Sequence, residues 1–135
     1  MKVAVDINIL LDALLKREPH AHQAAHLLTA FERGIIAGHL CAASVDTLYY
    51  LLNRASDQRT AKRLLTDILG LMSILPVNDQ VILAALQLGW TDLEDAIIHE
   101  SARLSGMDAI ITRDKGFSAG TLPALTATEV LAHPR

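Results

Sequence analysis

Short apolar segments that alternate with amphipathic helical stretches constrain the fold of this chain more than any other feature. The segments are brief, aliphatic and bounded by polar residues, which is typical of buried strands. They cover residues 3–5, 39–43, 71–77 and 109–112, and residues 124–125 add a last short strand. Strands that alternate with helices form a parallel sheet covered by helices on both faces. The sequence therefore predicts an α/β fold.

The helices between these strands are predicted from apolar residues spaced three and four apart. Ser44 is expected to cap the third helix, Asn78 or Asp79 the fifth, and the capping-box spacing of Thr91 and Glu94 opens the sixth. The six predicted helices cover residues 9–16, 20–33, 44–54, 60–69, 81–88 and 92–104.

Length, composition and charge limit the classes of protein to which the chain can belong. With 135 residues of which 51% are hydrophobic, it can bury one core, so a single domain over residues 1–135 is predicted. The net charge of -3 argues against a protein that coats nucleic acid by bulk electrostatics. No apolar run approaches the roughly 20 residues that span a bilayer. The first residues also lack the ~7–15 apolar residues of a signal peptide. We expect a cytoplasmic protein with no membrane partner.

Three aspartates occupy positions that a parallel sheet would bring to one edge. Asp6 directly follows the first strand, Asp95 lies in the first turn of a helix, and Asp114 comes two residues after a later strand. Sites in such folds lie at the carboxyl ends of the strands. Carboxylates packed together repel one another unless they are protonated, solvated or neutralised by a cation. Oxygen-rich clusters suit Mg²⁺ or Mn²⁺, so the pattern indicates a metal site.

Each of these acids also has a purely structural interpretation. Asp6 can cap the following helix, as aspartates commonly do. Asp92, Glu94 and Asp95 can simply complement a helix dipole, which favours acids in the first turn. Asp114 can be an ordinary turn residue. Composition and periodicity leave both interpretations open.

Three segments, in order and spacing, resemble the PIN-domain family. Residues 5–12, VDINILLD, resemble its opening segment, in which an aspartate after the first strand is a metal ligand. Residues 94–96, followed by Ala102, resemble its acidic helix, and residues 112–114, followed by Phe117, resemble the segment after its fourth strand. The resemblance covers essentially the whole chain. It implies a three-layer α/β/α sandwich and an acidic site that binds Mg²⁺ or Mn²⁺ for phosphodiester hydrolysis.

The resemblance also implies a role for individual residues. The catalytic and metal-binding acids would be Asp6, Asp95 and Asp114, with Asp92 as a nearby acid that assists the metal through water. Asn8 resembles the polar residue that supports Asp6, and Thr112 resembles the one that lines the pocket beside Asp114.

The sequence departs from the family pattern at one position. Residues 43–50 resemble the second acidic segment, in which a Glu, Asp or Asn usually precedes the apolar-Tyr-Tyr stretch, but here the position is Thr47. Asp46 is adjacent, yet one step along a helix rotates a side chain by about 100°, so Asp46 does not automatically replace the missing ligand. Thr47 can still act through its hydroxyl or a water, and the strength of metal binding is the property that this departure affects.

The resemblance is to toxin-type PIN ribonucleases of bacterial toxin–antitoxin systems. It implies an endoribonuclease for single-stranded or looped RNA, in which the cation lowers the pKa of the attacking water. It also implies a small antitoxin protein that covers the site. A homodimer is expected because the mean hydropathy is +0.30 and the apolar helices exceed what one small sandwich covers.

Two other classes of function compete with this interpretation. The first is a catalytically weakened PIN domain that binds RNA or protein, which the departure at Thr47 motivates. The second is a different α/β fold with a strand-end aspartate. A haloacid-dehalogenase-like phosphatase would need an aspartate where Asn8 stands, and a receiver domain would need a later lysine, for which Lys115 is weakly placed.

Several other residues are expected to be structural. His22 and His26 lie one helical turn apart, but no nearby Cys or acid completes a zinc site, so a solvated helix face is predicted. His99 is expected at the surface, with an approach to the acidic site as the alternative. Trp90 is expected to pack under a loop rather than stack on a base.

Overall fold

A computed structural model describes residues 1–134 and confirms the α/β fold with a central parallel sheet. All strand pairs are parallel, and the order across the sheet is β3-β2-β1-β4-β5, so β1 lies at the centre. The strands are β1 Lys2–Val5, β2 Ala37–Cys41, β3 Ser73–Leu75, β4 Ala109–Ile111 and β5 Ala124–Leu125.

Seven α-helices flank the sheet within the described residues. Residues 42–44 and 115–119 add two short 3₁₀ helices that directly follow β2 and the β4 loop. No helix between residues 1 and 134 has the length and apolar character that crossing a membrane requires. The α-helices are α1 Ile7–Leu14, α2 Ala21–Glu32, α3 Val45–Ala55, α4 Gln58–Leu69, α5 Asp79–Gln87, α6 Leu93–Leu104 and α7 Ala127–Ala132.

Alternation along the strands divides the core into two layers. Val3 and Val5 on β1 pack into a large cluster with residues of α1, α2, α3, α4 and α7, whereas Ala4 faces the opposite side. There it joins a smaller cluster with Ile98 of α6 and Phe117. Successive side chains of a strand point to opposite faces, so the central strand is covered on both sides. The result is the predicted three-layer sandwich.

The caps explain where several helices begin, and they correct two predictions. Asn78 caps α5 as predicted, because its side chain accepts a hydrogen bond from the Val81 N–H. The cap of α6 is Asp92 rather than Thr91. Ser44 precedes α3 but makes no capping hydrogen bond to the described residues. The helix α7 was not predicted, although Thr126 opens it with a complete capping box.

Candidate active site

Asp6, Thr112 and Asp114 form a hydrogen-bonded group at the carboxyl ends of the two central strands. Asp6 directly follows β1 and is only 7% exposed. The Thr112 hydroxyl donates a 2.9 Å hydrogen bond to Asp6 Oδ2 and accepts one of 2.9 Å from the Asp114 N–H. The Asp6 side chain makes no helix-capping hydrogen bond within the described chain, so capping does not account for it. Burial is the main cause that raises its pKa.

Asp95 faces the same group from the first turn of α6. Its backbone N–H donates a 3.0 Å hydrogen bond to Asp92 Oδ1. The capping interaction of α6 therefore also fixes the position of the Asp95 backbone. Burial, followed by the negative charges of Asp92, Asp114 and Asp6, raises the pKa of Asp95 to about 7. The structure therefore brings the three aspartates that the sequence singled out into one electrostatically coupled cluster, with Asp92 at its edge.

Thr47, the departure from the family pattern, contacts the helix that carries Asp95. Its hydroxyl donates a 3.2 Å hydrogen bond to Glu94 Oε1, which joins α3 to α6. The sequence indicates roles for Glu94 in the cap and the dipole of the sixth helix and in the segment that resembles the acidic helix of the family, but not this contact. No signal in the sequence indicates this contact, because it links residues 47 positions apart.

A cleft of about 470 Å³ opens beside the carboxylates. Trp90 is its one large side chain, and Asp92, Asp95 and Asp114 line one part of it, while the rest is formed by Gly89, Thr91, Gly116 and Ala119. The Trp90 ring packs on His99, with ring centroids 5.2 Å apart, and meets the ring of Phe117 edge-on. The packing role predicted for Trp90 is present, and the ring remains partly exposed at the cleft.

His99 is buried, and the prediction of a surface position is wrong. It is 1% exposed, and its Nε2 accepts hydrogen bonds from the backbone N–H groups of Thr121 and Leu122 at 3.1 and 3.2 Å. Because Nε2 accepts, the proton is on Nδ1, which donates to Glu100 Oε2 at 2.7 Å. A hydrogen bond from Arg103 is the main cause that lowers the pKa of Glu100. His99 therefore fixes the loop after Asp114 and does not enter the acidic cluster.

A backbone hydrogen bond from Asn8 opposes the rise in the pKa of Asp6, whereas the Asn8 side chain lies beside a second ionic network. Its exposed side chain accepts a 3.4 Å hydrogen bond from Arg17 rather than supporting Asp6. Arg17 also binds Asp12, which is 1% exposed and accepts two further hydrogen bonds of 3.0 Å from Arg113. Sequence analysis gave Asp12 no role. Its contacts tie α1 to the residue that directly precedes Asp114.

The donor set fits a hard divalent cation, although the carboxylates are not arranged as a finished coordination shell. Among residues 1–134, no three His, Cys, Asp or Glu side chains are grouped closely enough to hold a metal ion as they stand. Burial, followed by the negative charges of Asp92, Asp114 and Asp6, raises the pKa of Asp95, so a bound cation would favour its charged form. The hydroxyl of Ser44, just beyond the carboxyl end of β2, is buried without a hydrogen-bond partner in the described residues.

Other candidate residues stay outside this site. His22 and His26 are exposed on α2 with their ring centroids 4.3 Å apart, in agreement with a solvated helix face. Cys41 is buried at the end of β2.

Comparison with known proteins agrees with this architecture. A family model described as PIN domain matches residues 2–116. Ribonuclease VapC1 of Aquifex aeolicus (strain VF5) is 25% identical over 136 residues, which cover 95% of this chain and 92% of the relative. Both proteins are therefore compared over nearly their whole lengths.

Two solved structures share the fold. Mycobacterium tuberculosis VapC20, described as a sarcin-ricin loop cleaving toxin, superposes with a TM-score of 0.74 at 16% identity, covering 92% of this chain and 98% of that one. VapBC2 from Rickettsia felis, solved with a DNA fragment from its promoter, superposes with a TM-score of 0.71 at 16% identity. The match covers 93% of this chain and 97% of that one. At these identities the likeness concerns the fold alone.

Proposed function

The chain belongs to the PIN domain family, and from this we propose that it is a divalent-cation-dependent endoribonuclease that hydrolyses single-stranded or looped RNA. We assign the catalytic role to Asp6, Asp95 and Asp114. The observation that carries the proposal is the convergence of these carboxylates at the carboxyl edge of the sheet, where burial, followed by the negative charges of Asp92, Asp114 and Asp6, raises the pKa of Asp95 to about 7. The 25% identity to a ribonuclease over nearly the whole chain supports it.

Each residue of the site has a distinct task in this proposal. Asp6, Asp95 and Asp114 would hold Mg²⁺ or Mn²⁺, the hard cations that carboxylate oxygens prefer. The chemistry that such a cation would supply is activation of a water and neutralisation of the charge that develops on the phosphate. Thr112 orients Asp6 through its 2.9 Å hydrogen bond. Asp92 uses one oxygen to cap α6 and contributes negative charge at the edge of the site.

The shape of the site and the relatives support single-stranded or looped RNA as the substrate class. The cleft is open and beside the acids, so an unpaired strand reaches it more readily than the edge of a duplex groove does. One protein of similar fold is described as cleaving the sarcin-ricin loop. The exposed basic residues Arg54, Arg59, Lys62 and Arg63 on α3 and α4 are the candidate phosphate contacts of an otherwise acidic chain.

In the cell we propose that the protein is the toxin of a toxin–antitoxin pair. A small antitoxin would cover the acidic cleft and place a basic side chain among the carboxylates, and the active protein would be a homodimer in the cytoplasm. A short upstream reading frame that encodes a DNA-binding protein would support this role. Its absence would favour a stand-alone RNA-processing enzyme.

The competing function is a catalytically weakened PIN domain that only binds RNA or protein, and cleavage assays separate the two. We expect purified protein to cleave single-stranded RNA with Mg²⁺ or Mn²⁺ and to stop when EDTA is added. Asp6→Asn and Asp95→Asn should each lower the rate at least about 100-fold, since each removes a charge that holds the cation. Asp46→Asn, an exposed acid on α3, should leave the rate unchanged. Cleavage that persists in EDTA and in both site variants contradicts the enzyme and favours the binding module.

A further inference from the structure

A cavity separate from the acidic cleft opens at the same edge of the sheet. Its volume is about 330 Å³, and Arg113, which follows β4, lies in its wall. The apolar part of the wall comes from the core layer of α1, α2 and α7 and includes Ile9, Ala24 and Ala127. The acidic cleft is lined instead by Trp90, which packs with the opposite core layer. We call the first of these spaces the Arg113 cavity.

One peptide unit separates the Arg113 cavity from the acidic cleft. Arg113 lines the cavity, and Asp114, the next residue, lines the cleft. Because the Cα atoms of consecutive residues are about 3.8 Å apart, the two spaces are neighbours on either side of the loop after β4. An unpaired RNA strand with a phosphate at the acids can therefore reach the cavity with an adjacent nucleotide.

Asp12 holds the guanidinium group of Arg113 in one orientation. The Asp12 side chain is buried, and its carboxylate accepts 3.0 Å hydrogen bonds from Nε and Nη2 of Arg113. These bonds engage the edge of the planar group and neither of its faces. They also offset its positive charge, which disfavours a phosphate as the ligand of this cavity. A planar cation fixed in this way is a surface on which a base stacks.

The other polar side chains of the cavity suit the edge of a base. Gln23 carries an amide and Thr128 a hydroxyl, and both groups donate and accept hydrogen bonds. The edge of a base likewise presents donors and acceptors side by side. The volume lies at the small end of the range for ligand sites, which fits one base and excludes a longer segment. The cavity thus favours a flat, uncharged ring with polar edges.

We propose that the Arg113 cavity binds one unpaired base of the RNA, stacked on the guanidinium of Arg113, next to the phosphate at the acidic cleft. The inference rests on the proposed function, which supplies the RNA strand. Occupation of the cavity selects single-stranded or looped RNA, because a base that remains paired and stacked in a helix cannot enter it.

Nucleosides titrated into the ¹⁵N-labelled full chain test the cavity without RNA cleavage. Adenosine, cytidine, guanosine and uridine carry a base but no phosphate, and EDTA in the buffer removes divalent cations. At least one of them should shift the backbone amide signals of Ala24 and Ala127, with saturation at millimolar concentration. The amide of Gly116, which lines the acidic cleft, should keep its position.

Substitutions in the cavity should weaken the binding of nucleosides. Arg113→Lys keeps the charge but loses the planar group, and we expect binding about tenfold weaker. Gln23→Ala removes an amide that contacts the edge of the base and should weaken binding several-fold. Gln80→Ala, at an exposed glutamine on α5, is the matched control and should bind as the wild type does.

Single-stranded RNAs in which one base at a time is replaced by an abasic ribose extend the test to the substrate. In the wild type, loss of the base next to the cleaved phosphate should lower kcat/KM about tenfold. The same RNA should cost Arg113→Lys and Gln23→Ala less, because these variants have already lost contacts with that base.

The outcomes separate this inference from the proposed function. If RNA is cleaved but no nucleoside shifts the amides of Ala24 and Ala127, the inference is wrong and the proposed function stands. It is also wrong if abasic RNAs affect the wild type and the cavity variants equally. Nucleoside binding without any RNA cleavage would support the base-binding cavity and contradict the enzyme.

Discussion

At the residue scale, Asp95 is an acid whose charged form is disfavoured in the folded protein. Burial and the charges of Asp92, Asp114 and Asp6 raise its pKa to about 7, whereas an aspartate ordinarily titrates near 3.8. The folded protein therefore keeps a proton that the unfolded chain has already lost. An acid with a raised folded pKa contributes stability that is present below its unfolded pKa and is lost as the pH rises through its folded pKa.

The resulting pH dependence is measurable by thermal unfolding in EDTA. We expect the melting temperature of the wild type to fall as the pH rises from 5 to 8, the window set by the pKa of about 7. Asp95→Asn removes the charge and should melt on the order of a few degrees higher than the wild type at the upper end of this window. Addition of Mg²⁺ should raise the melting temperature of the wild type more than that of the variant.

A matched control separates this effect from a general charge effect. Asp67→Asn changes an exposed acid on α4 by the same single charge and should leave the pH dependence of melting unchanged. A wild-type melting temperature that is flat across the window, or equal for Asp95→Asn and the wild type at its upper end, would contradict the coupled carboxylate cluster.

Residues that directly follow parallel strands can be assigned to the site from the sequence. Asp6 and Asp114 follow β1 and β4, which are neighbours in the sheet, so their approach is predictable once a parallel sheet is assumed. Glu94 and His99 could not be assigned in this way. The Glu94 contact depends on how α3 and α6 pack, and that packing has no counterpart in local periodicity. The sequence predicts a surface position for His99 because its hydrogen-bond partners are backbone groups of a loop, 22 and 23 residues away in the sequence.

At the element scale, the loop after β4 is the segment whose position matters most for the site. It carries Asp114, and two helices hold it. From α1, the buried Asp12 binds Arg113. From α6, the His99 imidazole accepts two backbone hydrogen bonds, and a Cβ added at Gly120 would collide with that ring. The close approach requires a glycine at position 120.

Replacing His99 should loosen this loop selectively. His99→Leu leaves the N–H groups of Thr121 and Leu122 unpaired, and we expect a loss of about 2 kcal/mol in the free energy of unfolding. Hydrogen exchange should accelerate at those two amides. The Gly116 amide provides an internal control, because it donates to Asp114 Oδ1 rather than to His99. His99→Gln, which places an oxygen acceptor near the Nε2 position, should slow the exchange again, and equal exchange in both variants would exclude this role.

The elements themselves were predicted most accurately where apolar spacing was regular. The predicted helix at 60–69 is observed as Gln58–Leu69, starting earlier because Asp57 caps it through the Thr60 N–H. The second strand was placed at 39–43 but is Ala37–Cys41. Its first residues, Ala and Gly, carry little strand signal, and the pairing with β1 extends the strand there. The six-residue helix α7 is too short for periodicity to indicate.

At the scale of the whole molecule, one helix leaves an apolar face uncovered. α5 packs on α6, yet Leu83 is 60% exposed and Leu86 is 57% exposed. These leucines are three residues apart and lie on the same side of the helix. A standard interface covers about 800 Å² of each partner, which is a small share of the 7269 Å² surface of this chain. A two-fold contact centred on this exposed pair of leucines would therefore cover only a small part of the surface.

We predict that the protein is a homodimer joined through this face of α5. Light scattering at micromolar concentration should give twice the mass of 14.6 kDa for the wild type and for Ile35→Glu, which places a charge on a similarly exposed apolar residue outside α5. Leu83→Glu combined with Leu86→Glu should give a monomer, because two buried, unpaired carboxylates oppose association by several kcal/mol. The double variant should keep the Mn²⁺ affinity of the wild type, since neither leucine lies in the acidic cleft. A wild-type monomer would contradict dimerisation, whereas a dimer that survives both leucine substitutions but not Ile35→Glu would move the interface to the amino end of β2.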